Sequence, residues 1–147
     1  MHPNTLTVGK VTRYPRTGEP CDTCRTPMSG NVLSLVAVQE RFIPQGDGST
    51  AYDGPWFTPL QTYCCPTCAR AAPDYLAEKL HIRMTEPGES LVTQCGSCRA
   101  LVDRTQTHTS MILDRVTCNG GDDDAKTLFD FAAVCPSCAT WVEDDDE

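Results

Sequence analysis

Cysteine is the residue type whose number and spacing in this chain could do chemistry. The sequence has 147 residues and 10 cysteines. Eight of the cysteines form four Cys-x-x-Cys pairs, which are Cys21/Cys24, Cys65/Cys68, Cys95/Cys98 and Cys135/Cys138. Such a pair brings two sulfur atoms to one side of a tight turn, within reach of one metal ion. Two pairs together complete a tetrahedron of thiolates and leave no open position for water or substrate.

The four pairs are arranged as a duplication. Forty residues lie between the first and second pairs, 36 between the third and fourth, and 26 between the two halves. The local sequences also repeat, since CDTCR at Cys21 resembles CGSCR at Cys95 and CCPTCA at Cys64 resembles VCPSCA at Val134. Closed shells of four cysteines are typical of structural zinc, so we expect two Zn²⁺ ions per chain, bound in chain order. An interleaved arrangement, in which the first and third pairs share an ion, stays open.

Two cysteines, Cys64 and Cys118, lie outside the four pairs. Cys64 could replace its neighbour Cys65 as a ligand, but we favour the role of a small buried strand residue for it. Cys118 has the same interpretation. The predicted ligands are therefore the eight paired cysteines, and no catalytic residue is predicted, because no nucleophile and base stand in a recognisable motif.

Two other uses of so many cysteines stay open. A disulfide framework belongs in an oxidising compartment, but residues 1–10 lack a cationic start followed by an apolar run. We therefore expect a cytoplasmic protein, in the host cytoplasm if the source is viral. A thioredoxin-like dithiol uses one Cys-x-x-Cys pair and would not need four. No run of about 18 apolar residues is present, so we expect no contact with a membrane.

A strand hairpin is predicted between the two pairs of each half, from runs rich in Val, Leu and aromatic residues. The expected strands are residues 31–42, 57–63, 110–117 and 127–134. Glycines and prolines predict a loop at 44–55, and an acidic turn is expected at 119–124. Good helix formers predict a helix over 73–84, followed by a linker at 85–90. A short or frayed helix is expected after Cys138.

A turn, a hairpin and then a CPxC sequence that opens a helix resemble the treble-clef zinc fingers, with zinc ribbons as the nearest neighbouring group. The resemblance covers residues 21–80 and 95–141 and depends on the cysteine spacing and on Pro66 and Pro136. It implies a small α+β, metal-stabilised fold with two tandem zinc-binding units, at residues 1–88 and 89–147. The second unit could be a ribbon. The resemblance does not imply one function, since this group includes nucleic-acid binders and adaptors.

Aromatic residues near the first hairpin are candidates for contact with a partner protein. Tyr52, Trp56 and Phe57 lie within AYDGPWFTP, and aromatic side chains on a rigid loop are good anchors for a partner. The alternative is that Trp56 and Phe57 cover the small core of the first unit. We expect no small-molecule substrate.

The charge of the chain favours a protein partner with a basic surface. The net charge is -8, and the excess of acidic residues lies in the second half. Each divalent ion with four thiolates adds two further negative charges, which disfavours contact with phosphate chains. A nucleic-acid-binding zinc finger involved in transcription is the alternative. Its candidate contacts are Lys10, Arg13, Arg16, Arg25 and Arg41.

The function that these observations favour is a non-enzymatic adaptor or regulator. The metals would hold both hairpins rigid, and the surfaces of the hairpins would meet a host or cellular machine. The chain has more Arg than Lys, which suggests a GC-rich genome, and we expect a protein of prokaryotic or viral type. A redox role for the thiols is a third possibility.

Overall fold

The computed structural model describes residues 4–8, 15–120 and 125–143. Its strands are β1 Asn4–Val8, β2 Asn31–Pro44, β3 Thr50–Tyr63, β4 Val92–Gln94, β5 Leu101–Asp103, β6 His108–Thr117, β7 Lys126–Val134 and β8 Ala139–Glu143. Its helices are α1 Pro66–Ala69, a single turn, and α2 Ala72–Leu80. The chain is thus a small α+β fold that consists mostly of strands. No helix in the described ranges is long and apolar enough to cross a membrane.

One antiparallel sheet joins the two halves of the chain. Its strand order is β3-β2-β6-β7, so the hairpin of the first half lies beside the hairpin of the second. Ala37 of β2 pairs directly with Met111 of β6. These two residues are 74 positions apart, which is also the separation of Cys21 and Cys95. The duplicated halves are therefore related by an approximate twofold axis that passes through this pair.

The sheet and the core cross the predicted boundary between residues 88 and 89. The buried cluster contains Leu35 and Leu76 from the first half and Met111 and Val134 from the second. A half-length chain buries too little surface for a large core of its own, and sharing one sheet enlarges the apolar interior. The division into units at 1–88 and 89–147 stays a prediction.

All four predicted strands are present, but the prediction of a long first loop at 44–55 is wrong. The pairing of β2 with β3 continues to Pro44 opposite Thr50, so only residues 45–49 connect the strands. Gly54 and Pro55 lie within β3, opposite the single residue Glu40, where the register shifts by one. An edge strand tolerates proline and an extra residue because one of its sides has no ladder partner.

The predicted helix is present as α2, but it ends at Leu80. His81 takes a left-handed conformation with φ of 57°, and the backbone N–H of Ile82 donates to the carbonyl oxygen of Leu76 at 2.9 Å. The left-handed residue ends the helix, and the buried Ile82 packs beyond it.

The prediction of a helix after Cys138 is wrong. The residues that follow it form β8, which pairs in parallel with β1 from the other end of the chain. Trp141 in this strand donates from its indole Nε1 to the Thr109 hydroxyl at 3.0 Å. Pairing with a distant strand and this anchor outweigh the local preference of a short segment.

A polar cluster lies buried at one end of the sheet. Arg104 is 2% exposed, and its guanidinium donates to Asp130 at 2.8 Å and to the carbonyl oxygens of Gly88 and Ser90 at 3.0 and 2.8 Å. It also stacks on Phe42, 4.6 Å from the ring centroid. Arg104 therefore ties the linker between the halves to both β7 and β2.

His108 and Glu40 complete this cluster. The Ser110 hydroxyl donates to Glu40, and Nδ1 of His108 donates to the Gln106 carbonyl oxygen at 2.9 Å. Nε2 of His108 is left as an acceptor, 3.5 Å from Nε of Arg104. Burial raises the pKa of Glu40 and lowers the pKa of His108, which favours the neutral imidazole.

We expect Arg104→Met to lower the free energy of unfolding by roughly 3 to 5 kcal/mol at neutral pH, because it leaves the buried carboxylate of Asp130 without a cation. Burial already raises the pKa of Asp130, and loss of the guanidinium raises it further. A carboxyl group whose pKa is raised in the folded state stabilises the fold at low pH. This stabilisation is lost as the pH rises through the raised pKa. The loss in free energy of unfolding caused by Arg104→Met should therefore be larger at neutral than at mildly acid pH, as measured by urea unfolding of the metal-loaded protein. The exposed Arg115→Met is the control, and an equal loss in both variants would contradict the prediction.

Candidate metal centres

The structure brings eight cysteines together in two groups of four. The first cluster is Cys21, Cys24, Cys64 and Cys68, and the second cluster is Cys95, Cys98, Cys135 and Cys138. Within each cluster all sulfur atoms lie within 4.8 Å of one another, so each could hold one metal ion. The members of each cluster come from the same half of the chain. The grouping is therefore sequential, as the duplication predicts, and not interleaved.

The sulfur separations match a tetrahedral site. A metal–sulfur bond of about 2.3 Å places the corners of a tetrahedron about 3.8 Å apart. The distance is 3.6 Å between Cys24 and Cys64 and 3.7 Å between Cys64 and Cys68. In the second cluster, Cys98 and Cys135 are 3.6 Å apart. A disulfide needs about 2.05 Å, and all ten cysteines are free thiols.

The first pair of each cluster lies on a tight turn with the same geometry in both halves. The residue after the second cysteine has a left-handed backbone, with φ of 68° at Arg25 and 71° at Arg99. The backbone N–H of each arginine donates back to the carbonyl oxygen of the first cysteine, at 2.9 and 3.1 Å. These two closed turns fix the direction of the sulfurs.

Backbone N–H groups point at the first sulfur of each cluster. The Cys21 sulfur accepts from Thr23 and Cys64, both at 3.4 Å. The Cys95 sulfur accepts in the same way from Ser97, Cys98 and Cys135, each at 3.4 Å. Burial opposes ionisation of Cys21, but these backbone donors outweigh it and lower the pKa of its thiol, which favours the thiolate that binds metal.

The first cluster differs from the predicted ligand set at one position. Cys64 belongs to the group of four, whereas Cys65, the expected ligand, does not. The backbone N–H of Cys64 donates to Cys21 as that of Cys135 donates to Cys95, so Cys64 takes the place that Cys135 has in the second half. Cys65 instead precedes α1 as its N-cap. The two ligand pairs thus have different spacings, Cys-x₃-Cys in the first half and Cys-x₂-Cys in the second.

The thiols of each cluster have opposite pKa shifts. Contact with the Thr26 hydroxyl lowers the pKa of Cys24 to about 6, whereas contact with Cys24 raises the pKa of Cys64 to about 12. In the second cluster, burial raises the pKa of Cys138 to about 12. Burial also opposes ionisation of Cys135, but its contacts with Ser137 and Cys98 outweigh this and lower its pKa to about 7. Four thiolates this close repel one another, and a divalent cation removes that repulsion.

The two clusters lie at opposite ends of the four-stranded sheet. Tyr63, next to Cys64, pairs with Leu33 near the start of β2. Val134, next to Cys135, pairs with Thr109, which lies opposite Gln39 farther along β2. Six residues of strand separate these two levels, which corresponds to about 20 Å.

The second cluster also contacts the linker that follows α2. Gly96 lies inside its first turn and donates to the Ala133 carbonyl oxygen at 2.9 Å. A Cβ at this position would lie 2.7 Å from the Arg83 carbonyl oxygen and 2.9 Å from Cγ2 of Ile82. Only glycine fits here, so the turn and the linker hold each other in place.

The aromatic candidates lie in a strand and not in a loop. Trp56 and Phe57 are partly exposed residues of β3, and the Trp56 ring is 6.5 Å from the Trp141 ring, centroid to centroid. Tyr52 pairs through its backbone with Phe42. The prediction of a protruding aromatic loop is therefore wrong, because β3 begins earlier than expected.

Among the described residues, no hydrogen bond or ion pair brings the basic candidates together. Arg16 and Arg25 are exposed, and Arg41 lies 3.8 Å from Asp53 on the neighbouring strand. Lys10 and Arg13 lie outside the described residues. Cys118 is buried after the end of β6, which agrees with its predicted role.

No sequence profile of a known family, no curated protein and no solved structure matches the chain.

We expect Cys64→Ser to lose one of two bound metal ions and Cys65→Ser to retain both, because the Cys64 sulfur completes the tetrahedron. Metal content per chain, measured by native mass spectrometry, distinguishes the two variants directly. Substitution with Co²⁺ adds a second readout, since thiolate-to-cobalt absorption reports the number of sulfur ligands. The reverse pattern, with a loss only in Cys65→Ser, would contradict the grouping.

Proposed function

We propose that the chain is a structural zinc protein that binds one Zn²⁺ in each cluster and acts through contacts with another protein. The observation that carries the first part is the sulfur geometry, since all four sulfurs of each cluster lie within 4.8 Å of one another and the shortest contacts are 3.6 Å. A tetrahedron of four thiolates is typical of zinc or iron. Zinc is favoured because it has no redox chemistry and imposes no further geometry.

The closed shells support a non-enzymatic role. A catalytic zinc keeps one position open for water or substrate, and four cysteines leave none. Among the described residues, a second concentration of titratable groups, around Arg104 and His108, lies almost wholly buried in the fold. Its side chains form hydrogen bonds with one another and are better suited to holding the halves together than to meeting a substrate.

Contact with a protein partner is supported by charge and by exposed apolar side chains. The net charge of -8 disfavours phosphate chains and suits a basic protein surface. Trp56 and Phe57 are partly exposed on the outer strand β3, beside Trp141. Aromatic side chains held on a rigid strand lose little entropy when a partner covers them. We propose this part of β3, with Tyr52, as the anchor of an adaptor or regulator.

We expect Trp56→Ala to weaken capture of protein partners by the zinc-loaded chain by roughly tenfold or more, the loss typical of an anchoring aromatic. Leu128→Ala is the matched control, because Leu128 is an exposed apolar residue on β7, the opposite edge of the sheet. Both variants must first retain two zinc ions and the circular dichroism of the parent chain. The measurement is the amount of each co-purified protein from cells, quantified by mass spectrometry.

Equal capture by the parent chain and by Trp56→Ala would contradict the assignment of the anchor. Binding to nucleic acid at low salt, with a steep loss of affinity as salt rises, would contradict the protein-partner proposal. A purified chain without zinc would contradict the proposal as a whole.

A further inference from the structure

One face of the four-stranded sheet is open to solvent around Asp114. The register places one row of residues across the four strands, consisting of Thr62, Ser34, Asp114 and Thr127. The next row on the same face consists of Pro59, Val36, Ile112 and Asp130. Asp114 and Ile112 are partly exposed although they belong to an inner strand, and Thr127 is exposed. The described chain therefore leaves these two rows, the Asp114 patch, uncovered.

The Asp114 patch combines a carboxylate with hydroxyl groups and apolar side chains. The other three residues in the row of Asp114 all carry a hydroxyl, and that of Thr127 donates to Oδ1 of Asp114 at 3.0 Å. Val36 and Ile112 add apolar surface beside the carboxylate. Burial raises the pKa of Asp114, because one neutral donor does not replace the water that the fold removes. Among the described residues, no ion pair supplies Asp114 with a cation.

The second half of the chain places a guanidinium of its own on this face. Arg104 donates to Asp130 at 2.8 Å and lies over the ring of Phe42. The offset of 74 residues that relates the two halves places Gly30 at the position of Arg104. A Cβ atom at Gly30 would have nothing within 4 Å. The first half thus has glycine where the second half has arginine, and the position is open.

Carboxylates outnumber cations on this face of the sheet. The same offset places Asp114 at the position of Glu40, so the two carboxylates are related by the approximate twofold axis. Burial raises the pKa of Glu40, and the charges of Asp130 and Asp114 raise it further, whereas that of Arg104 lowers it. Three carboxylates therefore act on one another here, and among the described residues Arg104 is the cation that contacts them. A further cation would complement the charge of the face.

We propose that the Asp114 patch binds an arginine side chain of the protein partner, with the guanidinium on Asp114 and the aliphatic stem on Ile112 and Val36. A guanidinium presents planar donors to a carboxylate and its neighbouring hydroxyls, and it is more weakly hydrated than an ammonium. This inference rests on the proposed contact with a protein partner and names the chemistry of one contact. It does not depend on Trp56, because Trp56 pairs with Gln39 and lies on the opposite face of the sheet.

The test uses the purified, zinc-loaded chain and the blocked peptide acetyl-Gly-Arg-Gly-amide. The control peptide has citrulline in place of arginine, which keeps the shape of the side chain and removes its charge. Binding is followed by NMR, from the methyl signals of Ile112 and the backbone amides of Asp114 and Thr127. We expect saturable shifts of these signals with the arginine peptide and none with the citrulline peptide.

Asp114→Asn should weaken binding of the arginine peptide by about fivefold or more, because it removes the charge and keeps the acceptor for Thr127. The variant should be at least as stable as the parent chain at neutral pH, because it removes a half-buried charge that has no cation. Glu78→Gln is the matched control, since Glu78 is an exposed carboxylate on α2. It should leave the affinity for the peptide unchanged.

Equal affinity in the parent chain and in Asp114→Asn, or equal binding of the citrulline peptide, would overturn the inference. Binding of the arginine peptide only after Lys10 and Arg13 are both replaced by Gln would also overturn it, because basic residues of this chain would then fill the patch. If capture of partner proteins depends on Trp56 while the arginine peptide does not bind, this inference fails and the proposed function stands. If the peptide binds as expected and Trp56→Ala captures partners as the parent does, the anchor on β3 fails alone.

Discussion

The constraint on which the structure depends is the crowding of four sulfur atoms at each of two points. Groups within 4.8 Å of one another cannot all be thiolates unless a cation shares their charge. The tight turns at Arg25 and Arg99, the backbone N–H donors to Cys21 and Cys95, and the ends of β3 and β7 all converge on these points. A metal ion at each point would therefore couple local backbone geometry to the strand ladder, and its coordination energy would become folding energy.

The shared sheet turns two small repeats into one body. Each hairpin alone would leave one side of its inner strand unpaired, and a two-stranded ribbon is at best marginally stable in water. Pairing of β2 with β6 satisfies both inner strands, and the buried ion pair of Arg104 with Asp130 ties the linker to the sheet. The two clusters then close the sheet at its opposite ends, where the ends of β3 and β7 would otherwise fray.

Cysteine spacing and the duplication favoured two sequential clusters, and the local composition predicted the strands and α2, because sulfur geometry and local periodicity act over short distances. It could not choose between Cys64 and Cys65, since adjacent residues differ only in the direction of their side chains. The N–H of Cys64 reaches Cys21, and that contact between distant residues decides the choice. The sheet between the halves, β8 and the polar cluster around Arg104 depend on pairing partners far along the chain, which no local pattern encodes. Gly54 and Pro55 led to the prediction of a loop. An edge strand accepts both residues, but the sequence alone does not show that β3 is an edge strand.

X-ray absorption at the zinc edge of the purified chain, combined with metal content per chain, tests the central claim most directly. The account predicts two zinc ions, each with four sulfur neighbours at about 2.3 Å and no lighter atoms in the inner shell. Nitrogen or oxygen ligands at either site, or a chain that lacks metal and contains disulfides among these cysteines, would contradict it.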